Sequence, residues 1–191
     1  MKQALLASAF ALLAGTAAAQ MQQGRPMSAE PTIRVGGQAM YPSKTIVANA
    51  LNSADHTTLV AAVKAAGLVD TLNGPGPFTV FAPTNEAFSD LPAGTVDSLV
   101  KPENKAALTK ILTYHVVPGS YDTAKIRAAI LQGNGVAVLP TVEGGTLRLT
   151  MNGTSNILVE DERGHVADVT IADVRQANGM IQVVDRVLMP R

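Results

Sequence analysis

Apolar residues recur at a helical spacing through the first half of the chain and at a period of two through the second. Thr45 opens the first regular stretch, where Ile46, Val47, Ala50 and Leu51 line one face of a short helix. Leu59, Ala62, Val63 and Ala66 make the stripe of a second helix, with Ser53 or Asp55 as N-cap candidates. Gly67 stands just past that stripe, where a glycine accepts the left-handed backbone that ends a helix and lets Leu68 fold back over the last turn. Leu108, Ile111, Leu112 and His115 fall at i, i+3, i+4 and i+7 of a longer helix starting at Pro102, a good first-turn residue. A further helical piece runs near Lys125 to Leu131 and stops at Gly133.

Two short strands interrupt the helices. Phe78 to Ala82 follows the turn Asn73-Gly74-Pro75-Gly76-Pro77, with Phe78, Val80 and Ala82 toward one side and Thr79 and Phe81 toward the other. Pro83 ends this strand, and Thr84 is placed to cap a short helix that carries Phe88 and Leu91 and ends at Pro92. Tyr114 to Val117 turns into the second strand, closed by Pro118-Gly119. Beyond it, Leu147, Leu149 and Met151 alternate with Thr146, Arg148 and Thr150, and Gly144-Gly145, Asn152-Gly153 and Arg163-Gly164 mark turns. Strands are expected near Asn156 to Glu160, Val166 to Val174 and Met180 to Leu188. Helices followed by an antiparallel meander predict an α+β fold.

The N-terminus follows a different logic. Lys2, the apolar run Ala4 to Leu13 and the small residues Ala17, Ala18 and Ala19 before Gln20 predict a secretory signal over residues 1–19, cleaved after Ala19. The run is well short of the roughly 20 residues that span a bilayer, so no integral membrane anchor is expected. The mature protein is therefore expected outside the cytoplasm, secreted or periplasmic. Residues 20–44, punctuated by Pro26, Pro31 and Pro42 and without periodicity, predict a flexible or loosely docked leader; residues 45–190 form one domain.

Composition narrows the chemistry. The chain has 0 cysteines, which excludes disulfides, thiolate metal sites and thiol nucleophiles, so an exported domain of this kind rests on its hydrophobic core. The core is aliphatic, with 0 tryptophans and 4 phenylalanines, of which Phe10 leaves with the signal. Lys and Arg total 15 against 15 Asp and Glu, without a block of either sign, which argues against nucleic acid as a partner. The sequence holds no nucleophile elbow, zincin helix, phosphate loop or cofactor glycines, and it reads as a protein that is not an enzyme and carries no cofactor. None of His56, His115 and His165 is expected to have another histidine or a carboxylate at the i, i+4 spacing of a helical metal site, and no metal site is assigned. Glu160-Asp161-Glu162, directly before the Arg163-Gly164 turn, reads as solvated charge, and Asn152-Gly153-Thr154 as a hairpin turn.

Three segments, TVFAPTNEAF (Thr79 to Phe88), LTYHVVPG (Leu112 to Gly119) and NGMIQVVDRVLMP (Asn178 to Pro190), occur in the order and at the separations of the fasciclin, or FAS1, domain family, which the chain resembles from about Thr45 to Pro190. The resemblance implies a wedge-shaped β-sandwich of two small sheets with several helices packed along an edge, secreted or surface-attached and associated with adhesion. Tyr114-His115 is the family's named motif, linked in some members to ligand or cell-surface contact. The third segment departs from the family pattern at Gln182, where a histidine usually stands.

The residues of interest are thus Thr84, Asn85 and Glu86 of the first segment, Tyr114 and His115 of the second, and Gln182 and Asp185 of the third, each either structural or a contact. For His115 the structural reading is a half-buried ring on the helical stripe, hydrogen-bonded to a polar side chain such as Asn85. The expected partner is a cell-surface or matrix component, protein or polysaccharide. The alternative is a small apolar ligand, pigment or lipid, in a groove between helices and sheet, covered by a leader that bears Met21, Met27 and Met40.

Overall fold

The computed structural model describes residues 31–191; the expected signal segment, its cleavage point, and Met21 and Met27 lie outside the described residues. Five helices fall near the stretches read as helical, and two short ones, Val69–Leu72 and Thr95–Leu99, form where no stripe stands. α1 is Ile46–Ala50, with the Thr45 side chain accepting from Ala48 N. α2 is Thr57–Ala66 and α3 is Val69–Leu72. Gly67 ends α2 at φ 72°, its N–H donating to Lys64 O and the Leu68 N–H to Val63 O, the bonding of a glycine-terminated helix. α4 is Asn85–Ser89 and α5 is Thr95–Leu99. A single tight turn at Pro102–Asn104 leads into α6, Lys105–Tyr114, and α7 is Thr123–Gln132, capped by Asp122.

The strands are β1 Ile33–Val35, β2 Gln38–Met40, β3 Phe78–Pro83, β4 Val116–Pro118, β5 Ala137–Pro140, β6 Thr146–Asn152, β7 Asn156–Glu160, β8 Val166–Gln176 and β9 Gly179–Val184. Seven of them make one sheet in the order β4-β3-β9-β8-β7-β6-β5. β6 to β9 form the expected antiparallel meander, extended by β5, which the pattern did not show, but β9 then runs parallel to β3, pairing Phe78 with Gly179 through Pro83 with Val184. Local pattern shows neighbours joined by hairpins; it does not show a strand about a hundred residues away that fills the same ladder.

The two sheets of the sandwich are two halves of this one sheet, and β8 belongs to both. Its first residues pair with β7 and its later ones with β9, across register shifts between Val169 and Ile171 and between Ile171 and Val174. Such bulges bend a strand. The halves close on each other where Val142 N, just past β5, donates to Val116 O of β4 at 2.8 Å.

Two cores result. One lies between helices α1, α2, α4 and α6 and one sheet face; it includes Ile46, Val63, Val80, Ala82, Leu112 and Ile181. The other lies inside the folded sheet; it includes Phe81, Tyr114, Ile126, Leu147, Val159 and Leu188. β3 serves both, with Val80 and Ala82 toward the helices and Phe81 toward the sandwich, as its alternation predicts.

The stretch read as an aperiodic leader needs correcting from Ile33 onward. β1 and β2 form a hairpin that pairs Ile33 with Met40 and Val35 with Gln38. Val35 and Met40 are buried in the helix-side core. Three-residue strands turning through Gly36 and Gly37, at φ 58° and 74°, are too short to show a period, so only docking reveals them.

Candidate functional site

The seven residues of interest do not gather into one cleft. Thr84 caps α4, its hydroxyl accepting from Ala87 N at 3.3 Å. Asn85 ties α4 to the start of α2: its Oδ1 accepts from Thr58 N at 2.9 Å and its Nδ2 donates to Ala54 O at 2.9 Å. Glu86 is exposed in the first turn of α4, where a negative charge favours the helix end. Asp185 lies near the end of β9, where its carboxylate accepts from Asp168 N at 2.8 Å and bridges to β8.

Tyr114 and His115 are both buried. The Tyr114 ring is fully buried, its hydroxyl donating to Thr146 O at 2.7 Å and accepting from Glu162 N at 3.0 Å. Burial pushes its pKa up to about 12, so the phenol stays protonated and keeps both bonds. Gly145 lies against the same ring: a Cβ there would approach the Tyr114 ring to 2.9 Å. Replacing Tyr114 with phenylalanine leaves Thr146 O and Glu162 N unpaired, and the expected loss is about 1–3 kcal/mol, read as a lowered midpoint in urea unfolding.

His115 follows the last residue of α6 and is 2% exposed, more deeply placed than the half-buried ring expected. Its partner is not Asn85. The ring bonds Ile111 O through Nδ1 at 2.8 Å and accepts from Leu188 N through Nε2 at 2.9 Å. Only the neutral ring with its proton on Nδ1 makes both bonds. Burial pulls its pKa down to about 4, against the opposing influence of Ile111 O and Asp161. His115 is therefore a bracket between α6 and the C-terminal segment.

Gln182 fills the place of the family histidine without an empty bond. It is fully buried; its Oε1 accepts from Asp173 N at 3.0 Å and its Nε2 donates to Tyr121 O and to Asp173 Oδ1, each at 3.1 Å. Asp173 has φ 60°, so this amide braces the strained bend of β8 against the loop before α7.

The solvated reading of Glu160-Asp161-Glu162 is overturned at its centre. Asp161 is 3% exposed, and its carboxylate accepts from Arg163 N at 2.9 Å, His165 N at 2.8 Å and Met189 N at 2.9 Å. The His165 Nδ1 lies 3.0 Å from Asp161 Oδ2, which corrects the expectation that no histidine has a carboxylate at i, i+4; the pair sits on a turn and not on a helix. Desolvation raises the Asp161 pKa, but the bonds from Met189, His165 and Arg163 outweigh it and hold the carboxyl below its ordinary value. The sequence signal was Asp161 three residues before Gly164, the arrangement of a side chain that closes its own turn. Among the described residues there is no group of three or more His, Cys, Asp or Glu placed to hold a metal ion.

The apolar space between helices and sheet lies elsewhere. A cavity of about 70 Å³ sits between α1, α2, α3 and the β3–β9 face, with Ile46, Val63, Leu72, Val80, Leu112 and Ile181 in its walls and His115 at one side. Beside it a second space, of about 10 Å³, is closed by Val35 and Met40 of the hairpin; Ser53 and His56 supply its polar groups. Sequence pattern places these side chains on inward faces, but it cannot show that they leave room between them.

A fasciclin domain model matches residues 54–190. The protein sll1483 of Synechocystis sp. (strain ATCC 27184 / PCC 6803 / Kazusa) is 44% identical over 100% of this chain and 99% of its own length. The immunogenic protein MPB70 of Mycobacterium bovis is 40% identical over 85% of this chain and 77% of its own. The cell surface glycolipoprotein MPB83 of the same species is 37% identical over 82% of this chain and 64% of its own. Among solved structures, a FAS1 domain pair from the insect cell adhesion molecule fasciclin I superposes with a TM-score of 0.53 at 25% identity, covering 69% of this chain and 43% of that one. No helix among the described residues is long and apolar enough to cross a membrane. With its three segments in place, its sheet folded into two halves and the family model spanning residues 54–190, this chain belongs to the fasciclin domain family.

Proposed function

We propose that this chain is exported and acts at the cell envelope as a binding module without enzymatic activity, contacting a cell-surface or matrix component, protein or polysaccharide. The observation that carries the reading is the similarity over 82% of the chain to a protein described as a cell surface glycolipoprotein. The burial of Tyr114 and His115 moves the contact away from that motif. The surface on offer is the outer face of β5 to β8, where cross-strand neighbours form the row Val138, Arg148, Glu160 and Val166. Val138 is 57% exposed and Val166 44%, and the Arg148 and Glu160 head groups lie 3.8 Å apart between them. An apolar pair flanking a charged pair is a contact composition that suits a protein or saccharide surface. Labelled mature protein should be retained saturably by cells of its own host. The double substitution Val138→Glu and Val166→Glu should weaken that retention about tenfold while leaving stability within about 0.5 kcal/mol per site. Wild-type protein that binds no cell or matrix preparation overturns the reading.

The cavity beneath α1 and α2 favours a second reading, a carrier of a small apolar ligand such as a pigment or lipid. Its walls are almost wholly aliphatic, and Met40, from the segment expected to cover a groove, closes the adjoining space. Protein purified from the native host should then carry colour or extractable lipid. Ligand-free protein that takes up no apolar dye removes this reading.

A further inference from the structure

Tyr41 is the one aromatic side chain among the described residues that stands exposed, at 41%; the others are buried or half-buried. A tyrosine in that position forgoes most of the apolar burial an aromatic ring can supply. Its backbone is nevertheless held from below. Asn49 of α1, fully buried, accepts from Tyr41 N at 3.1 Å through Oδ1 and donates to Tyr41 O at 2.8 Å through Nδ2. The same Nδ2 donates to Oε1 of Gln176, a buried residue at the end of β8 whose Nε2 donates to Val174 O at 3.2 Å. Lys44 O accepts from Ala177 N at 2.8 Å, a second tie between the two segments. Residues 41–44 and the end of β8, far apart in the sequence, therefore make one fixed platform.

Two cations stand on it. Lys44 Nζ lies 5.0 Å from the centre of the Tyr41 ring. Arg175 is exposed between the buried Val174 and Gln176, and it borders an open groove of about 230 Å³ together with Ile33, Met40 and Pro42, the last two being the chain neighbours of Tyr41. Neither Lys44 nor Arg175 forms an ion pair among the described residues. One carboxylate, Asp173, also borders the groove, but its Oδ1 already accepts from Thr123 N and Gln182 Nε2. The surface thus offers an aromatic ring and two unpaired cations on a backbone that is set in advance, which lowers the ordering cost of binding.

A pyranose ring presents a face of weakly positive C–H groups, which the negative face of an aromatic ring attracts. A carboxylate on such a ring is drawn to ammonium and guanidinium groups beside it. We propose that Tyr41, Lys44 and Arg175 form a binding site for an acidic polysaccharide whose sugar units carry carboxylates, with one sugar ring stacked on Tyr41 and its carboxylate held by the two cations. A run of acidic residues in a peptide supplies the charge without a rigid ring to lie flat on the tyrosine. The site rests on the envelope reading for its setting alone. It uses other residues than the outer face of β5 to β8, and it narrows the partner to one class.

The probes are an alginate hexasaccharide, maltohexaose as its neutral counterpart and hexaglutamate as an acidic peptide, each titrated into the mature protein by calorimetry at low salt. Alginate should bind about tenfold more tightly than either of the others, and its affinity should fall as salt is raised. Tyr41→Ala should weaken alginate binding about tenfold, whereas Tyr41→Phe keeps the ring and should retain it. Lys44→Gln with Arg175→Gln should weaken it by about the same factor and flatten the salt dependence. No binding of alginate, or an unchanged affinity in Tyr41→Ala, overturns the proposal. Equal binding of hexaglutamate overturns the saccharide assignment and makes an acidic peptide the partner. If Tyr41→Ala unfolds early, the Lys44 and Arg175 variant decides. The Val138→Glu, Val166→Glu protein should bind alginate as the wild type does; loss there overturns this site in favour of the β5 to β8 face. Retention by host cells tests the envelope reading separately, so either can fail alone.

Discussion

His115→Ala should lower the melting temperature by roughly 10 °C. The substitution strands Leu188 N–H and Ile111 O in the interior and leaves a hole beside the apolar cavity. Each stranded group costs about 1–3 kcal/mol and the cavity adds to it, for a total on the order of 4 kcal/mol. At roughly 2–4 °C per kcal/mol for a domain of this size, thermal unfolding followed by circular dichroism resolves the change easily. An unchanged transition, with binding lost, would show the ring to be a contact residue instead. The same geometry sets a pH dependence. The folded protein holds His115 neutral with a pKa near 4, whereas the unfolded chain returns it to 6.5. Between these values the unfolded chain binds the extra proton, so stability falls as pH drops through the window from 6.5 to 4 and is undiminished above it. The full loss from this group is about 3 kcal/mol at pH 4. His56, also lowered by burial, acts with the same sign. Urea unfolding at pH 7, 5.5 and 4.5 should show the fall, and His115→Gln should flatten it.

Asp161→Ala should cost as much or more. One carboxylate holds the 161–165 turn closed through Arg163 N and His165 N and anchors the C-terminal segment through Met189 N. Its removal leaves backbone donors unpaired and His165 Nδ1 without its acceptor, an expected loss of about 3–5 kcal/mol. Hydrogen exchange should speed most at Met189 and His165. Asp161→Asn keeps one acceptor oxygen but turns an amide toward a donor, so it should recover only part of the loss. Equal exchange rates at Met189 in the two proteins would refute the anchoring role. The anchoring is distributed: Arg163 Nε donates to Pro190 O at 2.8 Å and Lys110 Nζ to Arg191 O at 2.7 Å. Asp161 is the only buried carboxylate among these anchoring groups, and for that reason its loss has the largest effect.

What the sequence by itself determined are the features set by neighbours a few residues apart. A stripe at i, i+3 and i+4 is a property of α2 or α6 alone, the left-handed Gly67 ends α2 wherever α2 packs, and Thr84 needs only Ala87 to act as a cap. The alternation along β3 likewise announced two buried faces, and both proved to be cores. Resemblance in three segments added the family, since their order reflects a whole fold that no single period encodes. Tertiary structure alone decided every feature that depends on distant partners. It placed β9 against β3, docked the short hairpin through Val35 and Met40, and folded β8 between the sheet halves. It also gave His115 its bond to Leu188, 73 residues on, where Asn85 had seemed the nearer candidate, and turned Asp161 from a surface charge into a buried anchor. The cavity belongs to this second class, because empty space is a property of what surrounds a residue, and those surroundings come from chain segments that are far apart in the sequence.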